Sequence, residues 1–283
     1  MLRSLSDDIL SQWLLEDAPY GDATSLALGL QGGVAHLTLA ARQPMTVCGV
    51  EEALRLFELV GAQAQVHARS GHHVRAEVEL LTVQGPVEAL LQAFGVAQNL
   101  VQWASGVASE VARIVTELRA AGLHQPLACT RHTPPGTRAL AFKAVQAGGG
   151  IMHHLGLSDA VQLNPEHRVF LDLSVDDMVG RLRRAQPEKK MVAQVQSLDE
   201  AMAFALAGAD ILQLDHFTPE QVRQTRLALH NSRLHPALAV SGDVTAANAV
   251  AHAEAGADVL VSSAPYLAAP REVEARFSRA LPQ

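Results

Sequence analysis

Polar residues able to hold an anion or move a proton gather in a few short stretches of this 283-residue chain from residue 130 onward. Thr130-Arg131-His132-Thr133 runs into Pro134-Pro135-Gly136 and Arg138, and Gly148-Gly149-Gly150 leads to His153-His154. Asp172, Gln194, Gln196, Asp215-His216, Ser241-Gly242-Asp243 and Ser262-Ser263 follow. Arg131 and Arg138 flank a Pro-Pro-Gly turn, and two fixed guanidinium groups suit a carboxylate or phosphate oxygens, bidentate where geometry permits. A salt bridge to a nearby acid is the alternative for each. The small Ser241-Gly242 turn, opening onto a helix predicted from Thr245, offers backbone N–H groups with the helix dipole favouring an anion. Together with Ser262-Ser263 it reads as a phosphate site; alone it reads equally as a tight turn. Asp243 opposes that site, since a carboxylate repels phosphate unless a cation or a proton intervenes.

His132, His153, His154 and His216 invite a zinc reading, but none shows the His-x-x-x-His spacing of a helical ligand pair. Hydrogen bonding to a substrate is the expectation instead. Asp215 reads as an acceptor for ribose hydroxyls, as a Mg²⁺ ligand, or as the cap of the helix that follows. No Gly-x-Gly-x-x-Gly or P-loop motif occurs.

These residues need a scaffold, and the spacing of apolar runs supplies one. Short runs at 127–129, 169–173, 191–195, 210–214, 237–240 and 258–261 read as strands. Helical patterns at 138–147, 176–185, 198–207, 219–230, 245–255 and 270–280 separate them or close the series. Such alternation predicts parallel strands with crossover helices, and in an α/β barrel function sits at the strand ends. The echo of Ala207-Gly208-Ala209-Asp210-Ile211-Leu212 in Ala255-Gly256-Ala257-Asp258-Val259-Leu260 favours a barrel over an open sheet. In each copy Gly can end a helix just before a strand. Upstream, helices are predicted at 7–16, 50–60 and 86–121, the last interrupted at Gly95 and Gly106, with strands at 34–41 and 74–84. That pattern reads as an α+β layer. The fold expected is α/β: an N-terminal α/β sandwich domain over 1–115 and an open α/β barrel over 116–283.

Composition excludes several function classes. A net charge of −7 without long basic runs argues against nucleic acid as a partner. Two cysteines, Cys48 and Cys129, make no disulfide framework and no C-x-x-C motif. No apolar stretch approaches the roughly 18–20 residues of a membrane helix, and the acidic N-terminus is unlike a signal peptide. A reduced cytoplasmic protein is expected, with no membrane partner.

The chain resembles the quinolinate phosphoribosyltransferase family, the nicotinate-nucleotide pyrophosphorylases. Glu16 to Ser25 (EDAPYGDATS), Cys129 to Gly136 (CTRHTPPG), Gly148 to His153 (GGGIMH) and Leu155 to Asp159 (LGLSD) carry the likeness. So do Ala207 to Asp215 (AGADILQLD) and Ala239 to Gly242 (AVSG). The resemblance implies the two-domain fold just described and a homodimer, or a dimer-based oligomer, in which one subunit's N-terminal domain covers the other's barrel. It also implies transfer of phosphoribose from phosphoribosyl pyrophosphate to quinolinate, with decarboxylation and Mg²⁺.

The departures from the family pattern lie mostly at charged positions. Trp103 stands for a basic residue, His132 for a Lys, His154 for an Arg and Asn164 for a Lys. Gln194 and Gln196 replace Glu, and Asp243 replaces a Gly. The pattern is instead similar to the ModD pyrophosphorylase sub-family found with molybdenum transport systems. Its marks here are Pro19-Tyr20-Gly21-Asp22, Ala141-Phe142-Lys143-Ala144-Val145, Glu166-His167-Arg168 and Ser263-Ala264-Pro265-Tyr266. A dianionic acceptor and a pyrophosphate leaving group call for positive charge, so loss of these cations points to a heterocycle other than quinolinate.

On this basis Arg131, His153 and Asp215 are the expected catalytic residues, with Asp215 also the candidate Mg²⁺ ligand. Thr130, His132, Arg138, Lys143, His154, Gln194, Ser241, Gly242, Asp243, Ser262 and Ser263 are expected to bind a phosphoribosylated small molecule, with Lys143 restoring one positive charge. Two alternatives stay open: a non-catalytic ligand-binding or regulatory protein on the same scaffold, and carboxylating nicotinate-nucleotide pyrophosphorylase activity itself.

Overall fold

A computed structural model describes residues 4–30 and 32–279. In chain order the elements begin with α1 (Asp7–Asp17), α2 (Ala23–Leu28), β1 (Val34–Ala41), β2 (Met45–Thr46), α3 (Val50–Leu59) and β3 (Gln63–Val66). They continue with β4 (His73–Val74), β5 (Glu79–Pro86), α4 (Val87–Ala120), β6 (Leu127–Cys129), α5 (Arg138–Ala147), β7 (Ile151–Met152) and β8 (Val161–Leu163). Next come α6 (Pro165–Arg168), α7 (Val175–Ala185), β9 (Met191–Val195), α8 (Leu198–Leu206), β10 (Ile211–Asp215) and α9 (Pro219–Asn231). The series closes with β11 (Ala237–Ser241), α10 (Ala249–Glu254), β12 (Val259–Ser262) and β13 (Val273–Arg279). Two packing units result: one from residues 1–112, 133–149 and 265–283, the other from 113–132 and 150–264. Among the described residues no helix is long and apolar enough to cross a membrane.

The first unit is built on an antiparallel sheet in the order β13-β1-β5-β3. Its outer strand corrects the helix expected over 270–280. Residues 273–279 pair with β1 from Ala35↔Arg279 to Ala41↔Val273, while residue 280 lies outside the described residues. The edge of β1 needs a hydrogen-bonding partner, and Phe277 meets Phe94 edge-on with ring centroids 5.2 Å apart. The helix α4 runs unbroken through Gly95 and Gly106. A β-carbon at Gly106 would stand 2.6 Å from the Ala269 carbonyl oxygen, so this glycine serves close packing and does not break the helix.

The second unit is a seven-stranded sheet in the order β7-β6-β12-β11-β10-β9-β8, parallel at each recorded pairing. Among the described residues no pairing joins β7 to β8, so the barrel is open. Period-two alternation sorts the side chains. Ala128, Ala239 and Val261 form a buried cluster with Ile211 and Val259 against it, while Leu212, Leu214, Leu238, Val240 and Leu260 alternate with them and are also buried. Parallel register sets Gln213 beside Gln194 and Ala239, and Asp215 beside Ser241.

The repeated Ala-Gly-Ala-Asp turn is a latch between helix and strand. Gly208 and Gly256 take φ of 94° and 108°, a conformation open to glycine. Asp210 accepts from the Met191 N–H at 2.8 Å and Asp258 from the Leu238 N–H at 2.7 Å, each capping the neighbouring strand. An arginine reaches back to each copy: Arg183 to Asp210 and the Gly208 carbonyl, Arg226 to Asp258 and the Gly256 carbonyl.

The strand expected at 169–173 is not one. The pairing strand is β8, eight residues earlier, and Asn164-Pro165 then opens α6, with Pro at a first-turn position where its missing N–H costs nothing. Val169 and Phe170 follow as an exposed loop.

Candidate active site

At the C-terminal ends of the barrel strands lies a cavity of about 350 Å³ lined wholly by the second unit. It gathers Thr130, Arg131, His132, His153, His154, Gln194, Asp215, Ser241, Gly242, Asp243 and Ser263, all expected from the sequence. His216 lines it too, as do Gln162, Asn164 and Gln213.

Each group is held by the ladder beneath it. The Thr130 N–H donates to the Ser262 carbonyl at 3.0 Å, the His153 N–H to the Cys129 carbonyl at 2.9 Å, and the His216 N–H to the Ser241 carbonyl at 2.8 Å. These bonds continue the sheet one residue past the strands and fix where the side chains emerge. Arg131 carries no recorded ion pair among the described residues, so its charge is available to a ligand.

Asp215 is not the cap of α9: Thr218 takes that place, with Gln221 completing a capping box. The Asp215 Oδ1 instead accepts from the Ser241 hydroxyl at 3.2 Å. Ser241 Oγ accepts from Gln213 Nε2 at 3.1 Å, and Gln213 Oε1 accepts from Gln162 Nε2 at 2.9 Å.

The loops that follow β10 and β11 are tightly bent. His216, Gly242 and Asp243 take φ of 57°, 88° and 53°, all left-handed. A β-carbon at Gly242 would stand 2.6 Å from His216 Nδ1, so glycine is required there on both counts. The Asp243 carboxylate is 91% exposed and turns to His216 Nδ1 at 3.4 Å. The helix expected to start near Thr245 starts at Ala249. Asn248 organises the intervening turn, accepting from the Thr245 N–H at 2.8 Å and donating to the Asp243 carbonyl at 2.9 Å.

Ser262 differs from its neighbour. It is buried, donates to the Val244 carbonyl at 2.5 Å and accepts from the Ala264 N–H at 3.1 Å, so it ties two loops together while Ser263 faces the cavity. Lys143 also differs from expectation. It belongs to the first unit and is 2% exposed, with its ammonium 2.8 Å from Glu51 Oε2 and 2.5 Å from Glu52 Oε2, so its charge is spent inside that unit. Arg138 opens α5 in the same unit.

The two adjacent histidines stack with ring centroids 3.9 Å apart. Burial, reinforced by the His154 ring and opposed by Asp159, pushes His153 down to about 4. Burial also lowers His154, against the opposing effects of Asp159 and the Gln162 side chain. Asp159 is engaged in its own loop, accepting the Leu155 N–H at 2.8 Å and the Gly156 N–H at 3.2 Å. Cys129, just beneath the mouth, is pushed up to about 12 by burial and is no nucleophile.

Gln162 and Gln213 went unnoticed in the sequence because each sits in a short apolar run. The signal was present: one polar residue inside a buried strand, two positions before a strand-end Asp in the case of Gln213.

Residues 22–105 match the family model described as quinolinate phosphoribosyl transferase, N-terminal domain, and residues 107–272 match its C-terminal domain. ModD of Rhodobacter capsulatus, named as a candidate pyrophosphorylase, is 44% identical over 87% of this chain and 95% of its own length. A probable carboxylating nicotinate-nucleotide pyrophosphorylase of Synechocystis is 31% identical over 93% of this chain and 89% of its own. The crystal structure of NadC from Streptococcus pyogenes superposes with a TM-score of 0.87 at 28% identity, covering 97% of this chain and 96% of that one.

Proposed function

Because the chain belongs to the quinolinate phosphoribosyltransferase family, we propose that it transfers a phosphoribosyl group from phosphoribosyl pyrophosphate to a nitrogen heterocycle other than quinolinate. The observation that carries this reading is the single cavity in which two strand-end serine loops, a carboxylate and an arginine without a recorded ion pair converge. Barrel enzymes commonly seat phosphate at the loops after the last two strands, here Ser241-Gly242 and Ser263. The Asp215 carboxylate, oriented by Ser241, suits ribose hydroxyls and the positive charge that grows on the ribose as its C1–O bond breaks. Arg131 suits the departing pyrophosphate. In the transfer, a ring-nitrogen lone pair forms the new N–C1 bond while the C1–O pair leaves on pyrophosphate.

Magnesium fits this site in one way. Asp215 offers one carboxylate, and among the described residues no group of three or more His, Cys, Asp or Glu gathers. Such a site suits an ion held by one carboxylate and the donor's own phosphates. Bound so, it would supply charge neutralisation on the leaving oxygens.

We extend the reading to a cytoplasmic homodimer. The free, buried Cys48 and Cys129 support a reducing compartment, and the exposed Val169 and Phe170 support self-association.

Calorimetric titration of phosphoribosyl pyrophosphate with Mg²⁺ tests the central reading. Saturable binding is expected, weakened about 100-fold in Arg131→Ala, in the range for losing a charged, desolvated contact. Absence of any donor binding to the wild type contradicts it.

A further inference from the structure

The cavity that holds Arg131 has an unusual wall for a family named after a dicarboxylate. Its fixed charges are one guanidinium, Arg131, and two carboxylates, Asp215 and Asp243. Much of the remaining lining is amide and imidazole, including His153, His154, Gln162, Asn164, Gln194 and Gln213. A carboxylate moved from water to such a wall keeps its desolvation cost without a counter-charge. An uncharged ring with donors and acceptors on its edge does not incur it.

The amides are not free to turn. The Ser241 hydroxyl donates to Asp215 Oδ1. That leaves a Ser241 lone pair for Gln213 Nε2, which aims the Gln213 carbonyl at Gln162 Nε2. One carboxylate therefore sets three side chains in sequence. Gln162 stands at the far end of the sequence, and its amide is close enough to the His154 ring to favour the protonated imidazole. There the His154 Nε2 is buried without a hydrogen-bond partner. A buried polar atom left unpaired is costly, and a ligand group that pairs with it recovers that cost. The other ring of the pair, His153, stays neutral through the physiological range because burial disfavours its cation.

We propose that the acceptor taken by this cavity is an uncharged nitrogen heterocycle, read along a hydrogen-bonding edge by His154, Gln162 and Gln194, with Gln213 as a positioning residue that passes the orientation of Asp215 to Gln162. The proposal rests on the phosphoribosyltransferase reading. It has a chemical consequence. The ring nitrogen bonds to C1, pyrophosphate leaves with the C1–O electron pair and takes up the proton lost from the ring, and no carbon–carbon bond breaks. Carbon dioxide is not a product.

The test uses the full chain with saturating phosphoribosyl pyrophosphate and Mg²⁺, reading pyrophosphate and carbon dioxide separately. The acceptors are quinolinate, nicotinate, the free purine and pyrimidine bases, and benzimidazole. At least one uncharged base is expected to release pyrophosphate with kcat/KM 100-fold or more above quinolinate, without carbon dioxide. Gln213→Met, which also loses the bond to Ser241, should lower acceptor kcat/KM at least 10-fold. Gln162→Met should lower acceptor kcat/KM at least 10-fold while donor Kd stays within twofold. A merely structural role would move both. His154→Arg, which restores a cation, should narrow the preference against quinolinate at least 10-fold. Quinolinate preferred with carbon dioxide release overturns the inference and leaves the transferase reading intact. Donor binding with no uncharged base reacting or binding also overturns the inference alone. Failure of the donor to bind overturns both.

Discussion

A buried histidine trades stability for a neutral surface, and His153 shows the sign of that trade. Its native value, pushed to about 4 by burial, lies below the roughly 6.5 of an unfolded histidine. Above about pH 6.5 both states are neutral and the residue has no linkage effect. Between that value and about 4, the unfolded chain binds a proton that the native chain refuses, so stability falls as pH falls. From pH 7.5 to pH 5 this one group removes about 2 kcal/mol. Urea unfolding at those two pH values should show His153→Asn losing less stability than wild type by about that amount; equal losses would refute the burial account. The residue itself was legible, since a histidine after a Gly-Gly-Gly run at a strand end is conspicuous. Its partners were less so. The position of Lys143 one turn from the Gly run gave no hint that Glu51 and Glu52, about ninety residues away in sequence, would bury its charge. Ion pairs between distant segments leave no periodic trace.

Among elements, β6 and β9 to β12 and the crossover helices followed from alternation of apolar runs, because these strands are largely buried and each helix is buried on one face. β7 and β8, short and partly exposed, carried no such run. The two failures have a common cause. Residues 169–173 are a short apolar run that fits a strand or a loop, and 273–279 is a short segment in which Val273, Ala275 and Phe277 alternate with polar residues; tertiary pairing decided both. The first has no strand to pair with, and the second completes the β1 edge. The unpaired loop has a use in the dimer reading: Val169 and Phe170 are 80% and 86% exposed beside the β8 end of the open sheet. An interface there would bury them and cover that end. Sedimentation velocity at micromolar protein should give a dimer for wild type and a monomer for Phe170→Asp. A monomeric wild type, or an unperturbed dimer in the variant, would exclude that interface.

For the whole molecule, function follows from which charges the mouth of the barrel retains. The end formed by Ser241, Gly242 and Ser263 keeps small residues and tight turns, and Asp243 there is turned outward toward His216 and solvent. The other end is lined by neutral hydrogen-bonding groups whose orientation descends from Asp215. This division was visible in outline from the substitutions at 132, 154, 164, 194 and 243. The relay that gives it structure was not, since side-chain hydrogen bonds linking β8, β10 and β11 depend on register. The most direct measurement is a crystal structure of the protein with phosphoribosyl pyrophosphate and Mg²⁺ bound. The account predicts the 5-phosphate on the Ser241-Gly242 and Ser263 loops, ribose hydroxyls on Asp215 and pyrophosphate toward Arg131. A 5-phosphate seated against His153 and His154 instead would contradict it.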